Sequence, residues 1–470
     1  MNKATIAIKR KAPPLISGGK NMYYLFNLRR ISLFMNGKIK FPTALSVVIA
    51  NMIGTGVFTS LGYQLPAISD FSAIIALWLV GGIIALFGAF AYSELGAALP
   101  RSGGEYNFLS QIYHPAVGFL SGWVSATIGF AAPIAAAAWA LGKYFNTVIP
   151  GYSPQMIGAI VIVLVTIVQS INYTIGGGFQ TVATMIKVIL IIVFIIFGLF
   201  CACDTHISIA PTAQTYKDVF SAPFAISLVY VSFAYSGWNA SSYIAGEVDN
   251  PKRNIPLSIL VGTLLVTVLY IMINYVFLRT APVEEMKGVN EVAFISAKYI
   301  FGDNGARLIS LIISILLVST ISSMVIVGPR VIQMIGEDYS IFRILSRKNS
   351  NGIPVIAIAS QSLIALVLLY SSSFDMIITY ISFTLSLFTT LTVLGVFILR
   401  YQQPNLERPY KTWGYPVTPA IFLILNCWFL WFVFKGKPVA SMVGLGVVAI
   451  GLIVYFIAKF FSKNEEIKSL

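Results

Sequence analysis

Apolar residues come in long blocks parted by short polar, charged or Pro/Gly-bearing segments, and the block length is that of a helix crossing lipid. Twelve blocks can be marked, at 43–66, 72–97, 116–145, 155–172, 181–201, 221–246, 255–279, 306–335, 354–371, 374–400, 416–434 and 439–460. None shows the even apolar–polar alternation of barrel strands. The pattern predicts an all-α integral membrane protein of about twelve transmembrane helices.

Two of the blocks are interrupted near their middles. Asn51 to Phe58 reads N-M-I-G-T-G-V-F, and Ser232 to Asn239 reads S-F-A-Y-S-G-W-N. Gly54, Thr55 and Gly56 favour local unwinding, and non-helical backbone at membrane depth persists only where protein or a water-filled cavity satisfies its polar groups. A binding site at mid-membrane is one reading, and tight helix packing through small residues is the other. Gly54 and Gly237 lie 183 residues apart, close to two-fifths of the chain. That spacing suggests a duplicated unit of about five helices, and paired Gly-interrupted spans are the best sequence pointer to a substrate site. The expected organisation is a basic tail over 1–40, one repeat over 41–202, a second over 215–400, and two further helices with the C-terminal tail over 401–470.

Composition agrees, with 57% hydrophobic residues, 10% charged and a mean hydropathy of +0.84. A net charge of +14 would suggest nucleic acid in a soluble protein, but here its distribution sets orientation. With the amino terminus placed in the cytoplasm, 21 Lys and Arg fall on inner segments and 8 on outer ones. The expectation is a multi-pass protein of the cell membrane with both termini cytoplasmic and no nucleic-acid partner. Residues 1–40 carry nine basic residues and no acids, lack the apolar core of a signal peptide, and suit a tail near anionic lipid. Met35 offers a second possible start.

Candidate chemistry is sparse. Lys187, within T-M-I-K-V-I-L, costs about 2.5–3.5 kcal/mol at a span centre, so it is expected to face the bundle interior and to load and release a proton there. A snorkelling anchor is the alternative. Glu94, Arg101 and Glu105 flank the turn at Pro100 and Gly103-Gly104 and suggest helix-end ion pairing at an inner gate. Ser319, Thr320, Ser322 and Ser323 place hydroxyls on the eighth span, able to ligate a cation or to bond back to their own helix. Gly176-Gly177-Gly178 reads as a hinge after the fourth span, without the Lys and Ser/Thr of a phosphate loop. Cys201, Cys203 and Cys427 form no ligand set with His114 and His206, so no metal or other cofactor is expected. With no nucleophile–base set at one depth, an enzyme is not expected either.

The motifs I-G-T-G-V-F at Ile53 to Phe58, S-G-G-E-Y at Ser102 to Tyr106, F-A-Y-S-G-W-N at Phe233 to Asn239, and E-V-D-N-P-K-R-N-I-P from Glu247 stand in an order that resembles the amino acid-polyamine-organocation superfamily of permeases. The resemblance runs from about Pro42 to Leu399. It implies a LeuT-type fold, in which helices 1–5 and 6–10 are inverted repeats and helices 1 and 6 unwind around the substrate. It also implies that amides at Gly54, Thr55 and Gly56, following Ile53, hold a carboxylate. Carbonyls at Phe233, Ala234 and Ser236, followed by Gly237, would hold an amino group, with Phe233 closing over the substrate. Helix-end dipoles favour the same assignment. Lys187 resembles a helix 5 lysine that occupies the place of a bound sodium ion, opposite Ser322 and Ser323.

All 17 acids lie in loops or near span ends, so a cationic side chain would lack a partner at the midplane. Small neutral amino acids are therefore the expected substrates, driven by a proton gradient or a counter-substrate rather than by sodium. A transporter-like sensor that binds without moving its ligand is the alternative. No residue pattern identifies a partner subunit.

Overall fold

Side-chain caps and prolines start the helices where the polar segments end. Asp70 accepts from the Ala73 amide at 2.8 Å, His114 caps a helix opened by Pro115, and Ser221 and Ser373 cap two more. The computed structural model describes residues 38–171, 173–201, 208, 210–371 and 373–469. The basic tail up to residue 37, Met35, Cys203 and His206 lie outside them.

The helices are α1 Phe41–Met52, α2 Gly56–Gln64, α3 Phe71–Ala98, α4 Glu105–Ile112, α5 Pro115–Val124, α6 Ala131–Asn146, α7 Pro154–Ile171 and α8 Tyr173–Phe200. They continue as α9 Ala213–Val219, α10 Ala222–Tyr235, α11 Ala240–Tyr243, α12 Pro251–Thr280, α13 Val283–Met286, α14 Val292–Asp338, α15 Val355–Ser371, α16 Phe374–Gln402, α17 Val417–Gly436 and α18 Pro438–Ser469. Among the described residues there is no strand. One isolated parallel bridge joins Ile39 to Val248 and marks one end of the bundle, called here the Ile39 end.

Among the described residues, ten helical segments are long and apolar enough to cross a membrane, with α1–α2 and α5–α6 each counted once. The pair α9–α10, bent by 67°, supplies an eleventh, and α15 is a shorter apolar helix of 17 residues. The long α14 is two helices joined at Gly302, whose φ of 71° and ψ of 178° break the spiral before the span begins. The expected hinge at Gly176-Gly177-Gly178 is not there, because the backbone of α8 is helical from Tyr173 onward. Apolar residues on both sides of the glycines let the helix run through them, at a cost of about 1 kcal/mol each relative to Ala.

Burial ranks the spans. Of the apolar stretch in α1–α2, 94% is buried inside the protein, against 22% in α7 and 28% in α18. The most enclosed span is therefore one of the two that are broken. Around it, α1 packs on α12, α8 and α14, α2 packs on α10, and α3 lies against both α10 and α12. Between α5 and α6 the chain makes a π-helical turn over Ser125–Gly129, a local widening that recurs at functional sites.

Candidate functional site

Both interruptions are real breaks, and they touch. Helix α1 stops at Ile53, with φ −74° and ψ 81°, and α2 starts again at Gly56. Helix α10 stops at Ser236, where the backbone turns extended, and Gly237 follows with φ 92°. A Cβ on Gly56 would stand 2.5 Å from Ala234 Cα, and one on Gly237 would stand 2.7 Å from Asn51 Cβ. Glycine at these two positions is what lets the broken segments meet main chain to main chain.

The freed carbonyls are claimed from neighbouring helices. The Tyr270 hydroxyl on α12 lies 2.6 Å from Met52 O and 3.1 Å from Ala234 O, so one phenol bridges the two breaks. Lys187 Nζ on α8 donates to Ile53 O at 3.1 Å and to Thr320 Oγ1 at 2.7 Å, and Thr320 Oγ1 itself lies 3.3 Å from Ile53 O. Lys187 is 2% exposed and both partners are uncharged, so its ammonium caps the end of α1. At the other break, Ser236 Oγ donates to Phe233 O at 2.6 Å. The first amides of α2 have no acceptor within their own helix, and Thr55 Oγ1 is buried without a hydrogen-bond partner.

A cavity opens beside these breaks, lined by Asn51, Phe233, Ser236 and Gly237, by Ser125 and Phe130 of the π-turn region, and by Asn239 and Glu105. Ile53, Gly54, Thr55, Gly56 and Ala234 are not among its lining residues, since they lie packed between α10, α12 and α14. Of the eight residues expected to hold substrate, three thus face the cavity and five form its backing.

Several expected partnerships are replaced by others. Lys187 meets Thr320 rather than Ser322 or Ser323. Ser322 accepts from Gln169 Nε2 at 2.8 Å, and Ser323 Oγ is buried without a partner. At the turn around Pro100, Glu94 does not pair with Arg101. Its carboxylate accepts from Arg400 Nε at 2.9 Å, Arg400 Nη2 at 2.6 Å and the Thr412 amide at 2.7 Å, and Arg408 Nε stands 3.3 Å away as a second ion-pair partner. Arg101 instead pairs with Asp338 at 2.7 Å, which also accepts from the Tyr106 hydroxyl at 2.5 Å. Glu94 faces inward from α3, toward α16 and the segment after it, while Arg101 lies past the turn on the exposed side.

Glu105 corrects a further expectation. By sequence it belongs to a loop beyond the spans, yet α4 folds it inward, where it is 1% exposed and lines the cavity. An acid therefore does meet the cavity. Its oxygens accept from the Tyr92 hydroxyl at 2.5 Å, Asn239 Nδ2 at 3.2 Å and Ser121 Oγ at 3.5 Å.

At the opposite end, α2, α10 and α16 are tied together. The Tyr63 ring stacks on Tyr230 at 5.3 Å and on Phe374 at 5.8 Å, and Asp375 accepts from the Tyr230 hydroxyl at 2.5 Å and from Lys437 Nζ at 2.9 Å. Sequence reasoning missed Tyr270 as a bridge; the available signal was a Tyr inside an apolar span, whose hydroxyl needs a partner.

Comparison with known proteins adds a second line. A family model described as "Amino acid permease" matches residues 39–458. The chain is 31% identical over 389 residues to the serine/threonine exchanger SteT of Bacillus subtilis, covering 80% of this chain and 86% of that protein. It is 25% identical over 446 residues to the human cystine/glutamate transporter, covering 91% and 86%. To the mouse large neutral amino acids transporter small subunit 2 it is 26% identical over 451 residues, covering 92% and 84%.

Proposed function

The chain belongs to the amino acid permease family, and from that premise we propose that it moves small neutral L-amino acids across the cell membrane by alternating access, without sodium. The observation that carries this reading is the meeting of two broken helices beside a cavity, with main-chain groups of both breaks at its edge. A zwitterion presents a carboxylate and an ammonium. The amides at Thr55 and Gly56 open α2 and suit the first, with Gly54, whose amide donates to Met52 O at 2.8 Å, beside them, while the carbonyls at Phe233, Ala234 and Ser236 close a helix and suit the second. Phe233 lines the cavity and is the ring that would close over the substrate. Since Gly56 and Ala234 are in contact, the substrate reaches the α2 amides as α10 draws back from α1–α2, the kind of motion that alternating access requires.

In this reading residues 41–202 and 215–400 are the two inverted five-helix repeats and 401–470 supply helices 11 and 12. The Ile39 end is cytoplasmic, as are both termini, in keeping with the excess of Lys and Arg there. Lys187 supplies a positive charge at the end of α1 where a sodium ion would otherwise stand. That supports transport driven by a proton gradient or a counter-substrate. A neutral substrate side chain is supported by the cavity lining, which is apolar or uncharged apart from Glu105, and Glu105 already accepts three hydrogen bonds.

The test is uptake of radiolabelled alanine or leucine into proteoliposomes, competed by a panel of amino acids, with and without sodium and with a pH step. Competition by neutral amino acids and indifference to sodium are expected. Inhibition by arginine alone would overturn the substrate class, and a sodium requirement would overturn the role of Lys187. Ligand binding with neither accumulation nor counterflow would identify a sensor.

A further inference from the structure

The cavity holds one acid, and nothing in the account of substrate binding uses it. Glu105 opens α4, directly after Gly104, whose φ of 53° turns the chain inward. The helix leaves Glu105 against three elements: Tyr92 from α3, Ser121 from α5, and Asn239 from the loop that follows the break in α10. Tyr243 of α11 stands near the carboxyl, and α16 presents the Thr392 hydroxyl to Tyr92.

None of those neighbours carries a positive charge. The surrounding cations have other partners: Arg400 and Arg408 hold Glu94, Arg330 holds Glu247 at 2.6 Å, and Arg101 holds Asp338. An ionised carboxylate buried without a cation is costly. Removal from water raises the Glu105 carboxyl to about 7, with the three hydrogen bonds pulling the other way. The two oxygens are unequally held. Oε1 accepts from Tyr92 and Asn239, whereas Oε2 has only the 3.5 Å contact with Ser121.

We propose that Glu105 is a proton-binding site of the transport cavity, taking a proton from cavity water on Oε2 and giving it up again, so that its charge sets substrate affinity. When Oε2 is protonated its O–H donates to Ser121 Oγ, and the Ser121 hydrogen turns away. When it is ionised, Tyr92, Asn239 and Ser121 all donate to it. The site is distinct from Lys187, which lies on another helix and holds the end of α1. Because Asn239 belongs to the break in α10, loss of the proton tightens a hydrogen bond to the segment that must move. The link to substrate rests on the transport reading above, whereas proton binding itself does not.

The experiment therefore has a substrate-free arm. Infrared difference spectra of the full chain in detergent, titrated from about pH 5 to about pH 9, report a protonated carboxyl directly. The wild type is expected to lose a carboxyl C=O band with a midpoint near 7, and Glu105→Gln to lack that titrating band. A band that persists in Glu105→Gln, or none in the wild type, overturns the proposal. Should Glu105→Gln fail to fold, Tyr92→Phe serves instead. It removes a donor to the ionised form and moves the midpoint upward by about one unit or more, and an unmoved midpoint counts against the site.

In the second arm, binding of radiolabelled alanine is measured across the same range. Glu105→Gln should show at every pH the affinity that the wild type reaches only in acid. An unchanged pH profile, or a selective loss of binding for amino acids with cationic side chains, would contradict control of substrate affinity by the Glu105 proton. A titrating band with no alanine uptake would uphold the site and sink the transport reading.

Discussion

Lys187 Nζ and Thr320 Oγ1 stand 2.7 Å apart, and both lie within 3.3 Å of the Ile53 carbonyl that ends α1. Three helices thus converge on the last carbonyl before the first break. Removing the ammonium leaves Ile53 O with only the Thr320 hydroxyl in a buried setting.

Lys187→Ala is accordingly expected to lower counterflow by about tenfold or more, since losing a buried charged donor costs about 1–3 kcal/mol and 1.4 kcal/mol is tenfold. The folded fraction, read by thermal melting in detergent, should remain high. Thr320→Val should shift transport in the same direction by less. Unaltered counterflow in Lys187→Ala would separate the ammonium from the transport cycle.

Gly56 has no room for a side chain. A Cβ there meets Ala234 Cα at 2.5 Å and Cβ at 2.6 Å, so Gly56→Ala is expected to destabilise by about 1–3 kcal/mol. Gly446 lies inside α18 with nothing within 4 Å of its would-be Cβ, and Gly446→Ala should match the wild type or stabilise by up to about 1 kcal/mol. Melting temperatures of the two variants check the contrast.

The ion pairs at the Ile39 end differ in depth, and so should their effects. Glu94 is buried under Arg400 and Arg408, and Glu94→Gln is expected to cost about 3–5 kcal/mol by leaving them short of a counter-charge. Arg101 and Asp338 have side chains 45% and 32% exposed, and Arg101→Ala should cost about 0–1 kcal/mol. Equal losses of melting temperature would contradict this ranking.

Glu105 also predicts how stability changes with pH. Burial raises its folded pKa to about 7 from the ordinary 4.5, so the folded chain holds an extra proton between those values. That contribution is present in acid and is lost as pH rises through about 7, a swing on the order of 3 kcal/mol. Glu105→Gln should therefore flatten the fall in melting temperature between about pH 5 and about pH 8. The same slope in wild type and variant would count against it.

The sequence made the membrane helices and both breaks legible because each is a local property: block length for the spans, glycines within a block for the interruptions. Partners chosen by the fold were not legible. Glu94 has Arg101 seven positions away, yet pairs with Arg400 and Arg408 from a distant helix and the segment after it. Lys187 was expected opposite Ser322 and Ser323. A step of two residues along a helix turns a side chain by about 200°, so Thr320 and Ser322 cannot face the same neighbour. Gly176-Gly177-Gly178 looked like a hinge because glycine permits a break, but permission is not a cause. By sequence Glu105 belongs to a loop, and only the inward turn at Gly104 brings it to the cavity.

An amino acid carried between the two breaks must exchange across the bilayer, and counterflow reads that exchange. Proteoliposomes preloaded with unlabelled alanine, held without sodium, would receive radiolabelled alanine outside, with wild type and Gly237→Ala compared. Gly237 has φ 92° and lies against Asn51, so a side chain there displaces the second break from the first. Accumulation is expected for the wild type, and at least about tenfold less for the variant, with both still folded. Undiminished accumulation by Gly237→Ala, or none by the wild type with any neutral amino acid, would contradict it.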